Sequence, residues 1–292
     1  MNFGKYQLWH FCGDDVDQVN QALSKGEVDG VFVGRIHGFK KANLESLLAI
    51  NNLKILAIGD ALDIEITALN YLKHLEFLSI GDVNQKDVIN LRNFPNLNHL
   101  RFTQQKNIQL PPSGLPKLKE LAIWSFGEST LQILNAYQRL HHLELIQAKK
   151  LESLAGLEAC TELEQLVVAY CPKLLNINAL ELLAHLESLD IQNSKKIESF
   201  LSISFLVSIK KLMLRNVSAL DNLHFLGNCT KLEHFVLRNS PVVSNDLKPL
   251  LKLPKLRHAY LDKKAAYEPT YSRIDGLIAD RKKAISISRV QH

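Results

Sequence analysis

One short motif, Leu-x-x-Leu-x-Leu, recurs along most of this chain and restricts its possible folds more than any other feature. Ten residues spaced 21 to 24 positions apart occupy the first site of the motif: Leu53, Leu75, Leu97, Leu118, Leu140, Leu163, Leu186, Ile209, Leu232 and Leu256. A weaker copy begins at Val28, 25 residues before Leu53. Chance does not place ten copies in register, so the sequence predicts one structural unit that is repeated and stacked.

Each copy combines two apolar patterns. The fourth and sixth positions, such as Leu56 and Ile58, alternate with other residues, which predicts a short strand with one buried face. Before each strand, apolar residues recur at every third position, as in Leu44, Leu47 and Ile50, which predicts a helical or 3-10 return segment. A single copy cannot bury this stripe alone. The copies must therefore stack, with parallel strands covered by return segments.

These repeats resemble leucine-rich repeats, and the resemblance covers residues 28–262 in about ten to eleven copies. It implies an α/β fold: a right-handed solenoid with a curved parallel β-sheet on the concave face and helical or 3-10 return segments on the convex face. With about 4.8 Å between strands, such a sheet is on the order of 50 Å long, a length that suits a macromolecular partner.

The two ends of the repeat array are expected to be capped, because a terminal apolar stripe needs a cover. Residues 1–27 are predicted to form an N-terminal cap of one strand and one helix, with Asp14 or Asp15 as the helix N-cap. Residues 263–292 are predicted to form a C-terminal cap or tail, with a helix near 274–283 and a last strand over 285–290.

One position departs from the common family pattern, which has Asn three residues after the sixth position. Small residues such as Ser194 and Ser240 dominate there. Asn193, Asn216 and Asn239 lie one position earlier and are predicted to supply the missing hydrogen bonds of the loops.

Composition excludes several classes of protein. With 46% hydrophobic and 22% charged residues the chain is too apolar for disorder, and its apolar runs are too short to cross a membrane. The first residues contain no apolar signal region, and the four cysteines form no CxxC pair, so we expect a cytoplasmic protein with cysteines in packing roles. Phosphate-loop and hydrolase motifs are missing from the sequence. We therefore expect no enzyme, no cofactor and no small-molecule substrate.

The outward positions of the strands, the third, fifth and seventh of each copy, carry the functional signal. Apolar and arginine side chains stand where the repeat itself would accept any polar residue, and Trp and Arg are common interface anchors. The predicted partner contacts are Trp124, Ile146, Val167, Tyr170, Met213, Arg215, Val236 and Arg238, with Glu144 and Asp190 from an acidic middle segment. The competing interpretation for Trp124 is local packing against Phe126.

Charge on this face is acidic in the middle and basic toward the C-terminal third, which favours a complementary protein partner. The charge pattern disfavours a nucleic acid as the partner, since a nucleic acid prefers one sign of charge throughout and the net charge is only +5. We therefore expect a monomeric protein-interaction module that acts as a stoichiometric inhibitor, immunity protein or adaptor. The alternative is a pathogen effector that binds a host protein.

Two further groups of residues allow functions of another class. His99, Glu120 and His142 occupy the third position of successive copies, so a metal-dependent or acid–base site is possible, although a polar ladder between strands has the same pattern. A lysine ridge, defined as Lys149, Lys150, Lys173, Lys195 and Lys196, falls at matching loop positions of three copies. It could meet an acidic partner, RNA or an anionic membrane. The loops show no interleaved aromatic residues, which favours a merely solvated rim.

Overall fold

The computed structural model describes residues 2–59, 63–83 and 86–279. The chain forms two compact units, Met1–Ser125 (unit 1) and Phe126–His292 (unit 2). The strand predicted over 285–290, and the end of the helix predicted near 274–283, lie outside the described residues.

Unit 1 contains a sheet whose strands follow one another in chain order. The strands described are β1 (Asn2–Phe3), β2 (Tyr6–His10), β3 (Gly30–Val33), β4 (Ile55–Ile58), β5 (Phe77–Ile80), β6 (His99–Thr103) and β7 (Glu120–Trp124). Strand β1 is antiparallel to β2, and the pairs from β2 to β7 are parallel. The register matches equivalent motif positions, since Leu56 pairs with Leu78 and Leu78 with Leu100.

The return segments of unit 1 are mostly short 3-10 helices. They comprise α1 (Val16–Ser24) and 3-10 helices at Glu45–Ala49, Thr67–Tyr71 and Leu91–Asn93. The Leu47 amide donates to the Leu44 carbonyl at 3.0 Å, and the Ile50 amide donates to the Leu47 carbonyl at 3.1 Å. This three-residue spacing keeps every third side chain on one face, which matches the apolar pattern of the sequence.

Unit 2 repeats the same arrangement. Its described strands are β8 (His142–Ile146), β9 (Gln165–Ala169), β10 (Ser188–Gln192), β11 (Lys211–Arg215), β12 (His234–Arg238) and β13 (His258–Leu261), all parallel to their neighbours. Its helices are 3-10 helices at Gln132–Ala136, Leu157–Ala159, Asn178–Leu182, Leu201–Phe205 and His224–Asn228, then α2 (Lys248–Leu251) and a helical stretch over 271–279. No helix in the described ranges is long and apolar enough to cross a membrane.

The core of each unit lies between the strands and the return segments. Leu189 and Ile191, at the fourth and sixth positions of one copy, are fully buried, as are Leu180 and Leu183 from the return segment before them. The predicted architecture of parallel strands and 3-10 returns is therefore confirmed in both units. The opposite face of each sheet, which carries the third, fifth and seventh positions, is called the outward face below.

The loop hydrogen bonds differ only in part from those predicted: the Asn216 side-chain amide donates to Asn193 Oδ1 at 2.5 Å, but the asparagine side chains do not bond the loop backbone amides described next. Asn193, Asn216 and Asn239 adopt left-handed backbone conformations, with φ between 51° and 54°, a region that Asn tolerates better than most residues. The bonds come instead from the next residue. The buried Ser240 hydroxyl accepts from the Val217 amide at 2.9 Å and donates to the Arg238 carbonyl at 3.0 Å.

Candidate functional site

The outward face of unit 2 brings most of the predicted contact residues into one surface. Cross-strand pairing places Val167 beside Asp190, Asp190 beside Met213, and Met213 beside Val236. Val167, Met213 and Val236 are only half-buried, and Tyr260, which pairs with Val236, is 51% exposed. A row of apolar side chains is thus accessible along the middle of this face.

Arg215 and Asp190 form an ion pair within this row. The Arg215 Nη2 donates to Asp190 Oδ2, and the Gln192 side-chain amide donates to the same oxygen at 3.0 Å. The Asp190 side chain is only 8% exposed, whereas that of Arg215 is 41% exposed. Asp190 was predicted as a contact residue, but the structure assigns it a different place, because Gln192 and Arg215 cover it. Its carboxylate positions Arg215 rather than facing a partner.

Arg238 is held in a similar way at the next seventh position. Its Nε donates to Asp262 Oδ1 at 2.8 Å, and its guanidinium lies 4.7 Å from the centre of the Tyr260 ring. The other Asp262 oxygen accepts from the Asn239 amide. A fixed arginine stacked on an exposed tyrosine is a preorganised contact, since less side-chain freedom remains to be lost on binding. The sequence placed Tyr260 in the outward row but gave no reason to select it.

The two remaining contact residues of β8 lie at the start of unit 2. Ile146 and Glu144 are both half-buried on the outward face, beside Ala169 and Val167 respectively. Glu144 Oε1 lies 3.0 Å from His142 Nε2 on the same strand. Glu144 is therefore available to a partner only together with His142.

A stacked histidine pair borders the apolar row. The rings of His234 and His258, on adjacent strands, lie 4.6 Å apart and are inclined by only 10°. The pKa of His234 is lowered below its ordinary value, mainly by burial and to a smaller extent by the neighbouring His258 and Lys211. His234 is therefore uncharged more readily than a free histidine, and its ring extends the uncharged surface beside Val236.

The outward face of unit 1 is mostly closed by its own side chains. Phe32 and Phe77 are buried in a cluster with Leu8 and Ala57, against which Tyr6 and Ile55 pack. The Phe77 ring lies 5.2 Å from the Tyr6 ring. The expectation that third and fifth positions face solvent is therefore wrong at these strands, because neighbouring aromatic rings cover one another. Farther along, Trp124 is half-buried and receives the Arg101 guanidinium 5.7 Å from its ring centre.

The histidines and carboxylate considered for metal binding are only partly brought together. In unit 1, His99 Nδ1 lies 2.8 Å from Glu120 Oε2, as a polar ladder would place them. In unit 2, His142 interacts with Glu144. Within the described ranges, no group of three His, Cys, Asp or Glu side chains is arranged to hold a metal ion.

The cysteines are free thiols, and three of them are buried. The Cys160 thiol donates to the carbonyls of Tyr137 and Leu134 at 3.6 and 3.7 Å, and burial, with a smaller effect of Glu158, raises its pKa to about 12. Burial also raises the pKa of Cys229 to about 12. A thiol that holds its proton so strongly is a poor nucleophile, so the predicted packing role is confirmed for these two residues.

Tyr170 lies beyond the end of β9 rather than on the outward face. It is 52% exposed, and its backbone is left-handed, with φ of 59°. Its amide donates to the Gln192 carbonyl at 2.9 Å, which places it in the loop row at the carboxyl ends of the strands. It is therefore separated from the predicted contacts on the sheet.

Comparison with known proteins gives matches of structure alone. No family model and no curated protein matches the chain. A solved internalin of Listeria monocytogenes superposes with a TM-score of 0.60 and 16% identity, covering 85% of this chain and 73% of that protein. A second, internalin C2 from the same species, gives 0.51 and 15%, with 90% and 100% covered. A leucine-rich-repeat protein of Leptospira interrogans gives 0.54 and 16%, with 77% and 66% covered.

Proposed function

We propose that this chain, a leucine-rich-repeat protein by its fold, binds another protein on the outward face of the unit 2 sheet. The observation that supports this most is the accessible apolar row of Val167, Met213, Val236 and Tyr260, flanked by Arg215 and Arg238. A protein gains little by exposing such a row in water, but the row fits the apolar centre of an interface with a polar rim.

The two arginines give the surface its specificity. More than a third of each arginine side chain is exposed, while an aspartate carboxylate holds its guanidinium in place. A partner carboxylate or carbonyl can accept from the exposed N–H groups without the cost of ordering the side chain. Asp190 and Asp262 balance the charge of the arginines, so the partner need not be strongly acidic.

We further propose that the chain acts without catalysis, by occluding its partner. A stoichiometric inhibitor, an immunity protein and an adaptor all use a surface of this kind, and an effector directed at a host protein is the alternative. The free thiols agree with a reducing, cytosolic setting. A metal-dependent reaction finds less support, because His99 and His142 each pair with a different glutamate.

Affinity capture from cell extract with two matched variants tests the proposal. Val236→Glu places a charge in the apolar row, while Val207→Glu places the same charge on an exposed residue just after the 3-10 helix Leu201–Phe205. We expect a protein that is recovered with the wild type and with Val207→Glu, and lost with Val236→Glu.

Equal recovery with all three baits contradicts the proposal, provided circular dichroism shows that each is folded. Recovery that fails only with Val207→Glu moves the interface to the return side. If extract of the chain's own cell yields nothing and a foreign extract yields a partner sensitive to Val236→Glu, the effector alternative is favoured.

A further inference from the structure

The lysine ridge of unit 2 forms a row of unpaired positive charge. Its five lysines, Lys149, Lys150, Lys173, Lys195 and Lys196, are all exposed and follow β8, β9 and β10 in matching turns. Among the described residues, no carboxylate lies within ion-pairing distance of any of their ammonium groups. Arg215 and Arg238 on the outward face, in contrast, are each neutralised by an aspartate.

Backbone hydrogen bonds fix the spacing of this ridge. The Gln147 amide donates to the Ala169 carbonyl at 2.8 Å, and the Tyr170 amide donates to the Gln192 carbonyl at 2.9 Å. Successive turns therefore repeat at about the strand spacing of ~4.8 Å, and the ridge is on the order of 10 Å long. Such a row is narrow and linear, with regularly spaced cations.

Tyr170 lies within this row, between the turns that carry Lys150 and Lys195. Tyr170 is thus an aromatic residue interleaved with the lysines, which strand alternation alone did not indicate because it assigned Tyr170 to the sheet face. The structure places it in the loop row, more than half exposed and with no side-chain partner among the described residues.

The backbone of Tyr170 adds a second observation. The same left-handed position holds Asn193, Asn216 and Asn239 in later copies, and the smaller Ser125 and Gln147 in earlier ones. A bulky aromatic residue in this conformation is uncommon and strained, and such strain is concentrated at functional positions. The fold does not require tyrosine here, since asparagine serves in three other copies.

We propose that the lysine ridge and Tyr170 form a binding site for single-stranded nucleic acid. The ammonium groups contact successive phosphates, and the exposed Tyr170 ring stacks on an unpaired base, as in sites that bind single strands without sequence preference. A duplex offers no free base face to this ring.

An anionic membrane fits the site less well. Leu175 follows Lys173 in the same loop. Its amide donates a hydrogen bond to the Glu152 carbonyl of the preceding copy, and its carbonyl accepts one from the Glu198 amide of the following copy. Both glutamates are exposed, so a flat anionic surface that approached the ridge would also meet two carboxylates. A narrow strand can follow the lysines alone.

Fluorescence anisotropy with the full chain and labelled oligonucleotides of about 12 nucleotides tests this site. We expect oligo(U) and oligo(dT) to bind more tightly than a duplex of the same length. The slope of log affinity against log salt should lie between about −2 and −2.8, because a ridge of about 10 Å spans three or four phosphates at about 3.4 Å each, and each contributes about 0.7.

Five variants separate charge from stacking, and this site from the protein-binding face. Lys149→Glu with Lys195→Glu should weaken binding at least tenfold. Lys231→Glu with Lys252→Glu is an equal charge change elsewhere, since Lys231 precedes β12 and Lys252 directly follows α2, and it should weaken binding less than threefold. Tyr170→Asn keeps the left-handed backbone and should weaken binding at least fivefold, whereas Tyr170→Phe should retain it. Val236→Glu should leave it unchanged, which separates this site from the protein-binding face.

Three results would overturn the proposal. The first is no binding of either single strand at low salt. The second is binding that both lysine pairs weaken equally, or that Tyr170→Asn leaves unchanged, since the chain would then be a general polyanion binder. The third is tighter association with phosphatidylserine vesicles than with oligonucleotides, lost with the ridge variant, which would assign the ridge to a membrane.

Discussion

Replacing Ser240 with alanine should destabilise unit 2 by a calculable amount. The hydroxyl, in a residue that is 5% exposed, is the acceptor for the Val217 amide and a donor to the Arg238 carbonyl. That carbonyl also accepts from the Asn216 amide at 2.7 Å, so it stays satisfied in the variant. Only the Val217 amide, in a residue that is 4% exposed, loses its partner.

An unsatisfied buried donor costs about 1–3 kcal/mol, so we expect the free energy of unfolding to fall by about 2 kcal/mol. At roughly 2–4 °C per kcal/mol for a unit of this size, the melting temperature should fall by about 4–8 °C. Ser194→Ala should have a smaller effect, because the Ser194 hydroxyl accepts from the Cys171 amide at a longer 3.4 Å.

Urea unfolding followed by circular dichroism measures the loss, and hydrogen exchange at the Val217 amide locates it. Ser272→Ala, an exposed serine in the helical stretch 271–279, is the control and should change stability by less than about 0.5 kcal/mol. If Ser240→Ala is as mild as this control, or if exchange at Val217 is not accelerated, the serine hydroxyl does not replace the asparagine of the common repeat.

Three other perturbations follow from single contacts. Gly156→Ala should cost more than about 3 kcal/mol, since φ is 104° and an added Cβ would lie 2.3 Å from the Leu131 carbonyl carbon; thermal unfolding measures this. His234 should titrate below its ordinary pKa of 6.5 in NMR spectra, and His258→Ala should move that pKa upward. Because the folded protein favours neutral His234, this contribution to stability is present above pH 6.5 and is lost as the pH falls below it. The destabilisation caused by Cys160→Ala should shrink above pH 9, by at most about 1.4 kcal/mol per pH unit. The reason is that the Cys160 thiol ionises in the unfolded chain above this pH, whereas burial in the folded protein raises its pKa to about 12.

Each of these has a result that contradicts it. Gly227→Ala is the matched glycine control, as nothing lies within 4 Å of its added Cβ, and equal losses at both glycines would refute the steric argument. A His234 pKa at or above 6.5 would mean that the ring is not desolvated. A Cys160→Ala difference that stays constant from pH 8 to 11 would mean that the thiol ionises inside the fold.

Much of the fold was predictable because a single pattern is repeated. Each Leu-x-x-Leu-x-Leu copy specifies which side chains are buried, and the three-residue spacing of residues such as Leu44, Leu47 and Ile50 indicated the 3-10 returns. Where the pattern of one copy is ambiguous, the adjacent copies settle which residues form the strand, because stacked strands must keep one register. The Leu56 to Leu78 to Leu100 pairing shows the result.

The candidate site was less predictable, because it depends on contacts between copies. Strand alternation assigns Asp190 to the outward face, but only the neighbouring Gln192 and Arg215 reveal that its carboxylate is covered. In unit 1, strand alternation likewise assigns Phe32 and Phe77 to the solvent-facing side of the sheet. It does not indicate that both rings are buried in one cluster with Leu8 and Ala57. Side chains that reach across about 5 Å between strands decide exposure, and a pattern within one copy does not contain that information.

Site-specific photo-crosslinking tests most directly whether the outward face of unit 2 touches a protein partner. A benzophenone amino acid is introduced in turn at Met213, Val236 and, as the control, Val207, and adducts formed in cell extract are identified by mass spectrometry. We expect one common protein to be crosslinked, in an equimolar complex, from Met213 and Val236, and none from Val207. Crosslinks from Val207 alone, or different proteins at every position, would contradict this expectation.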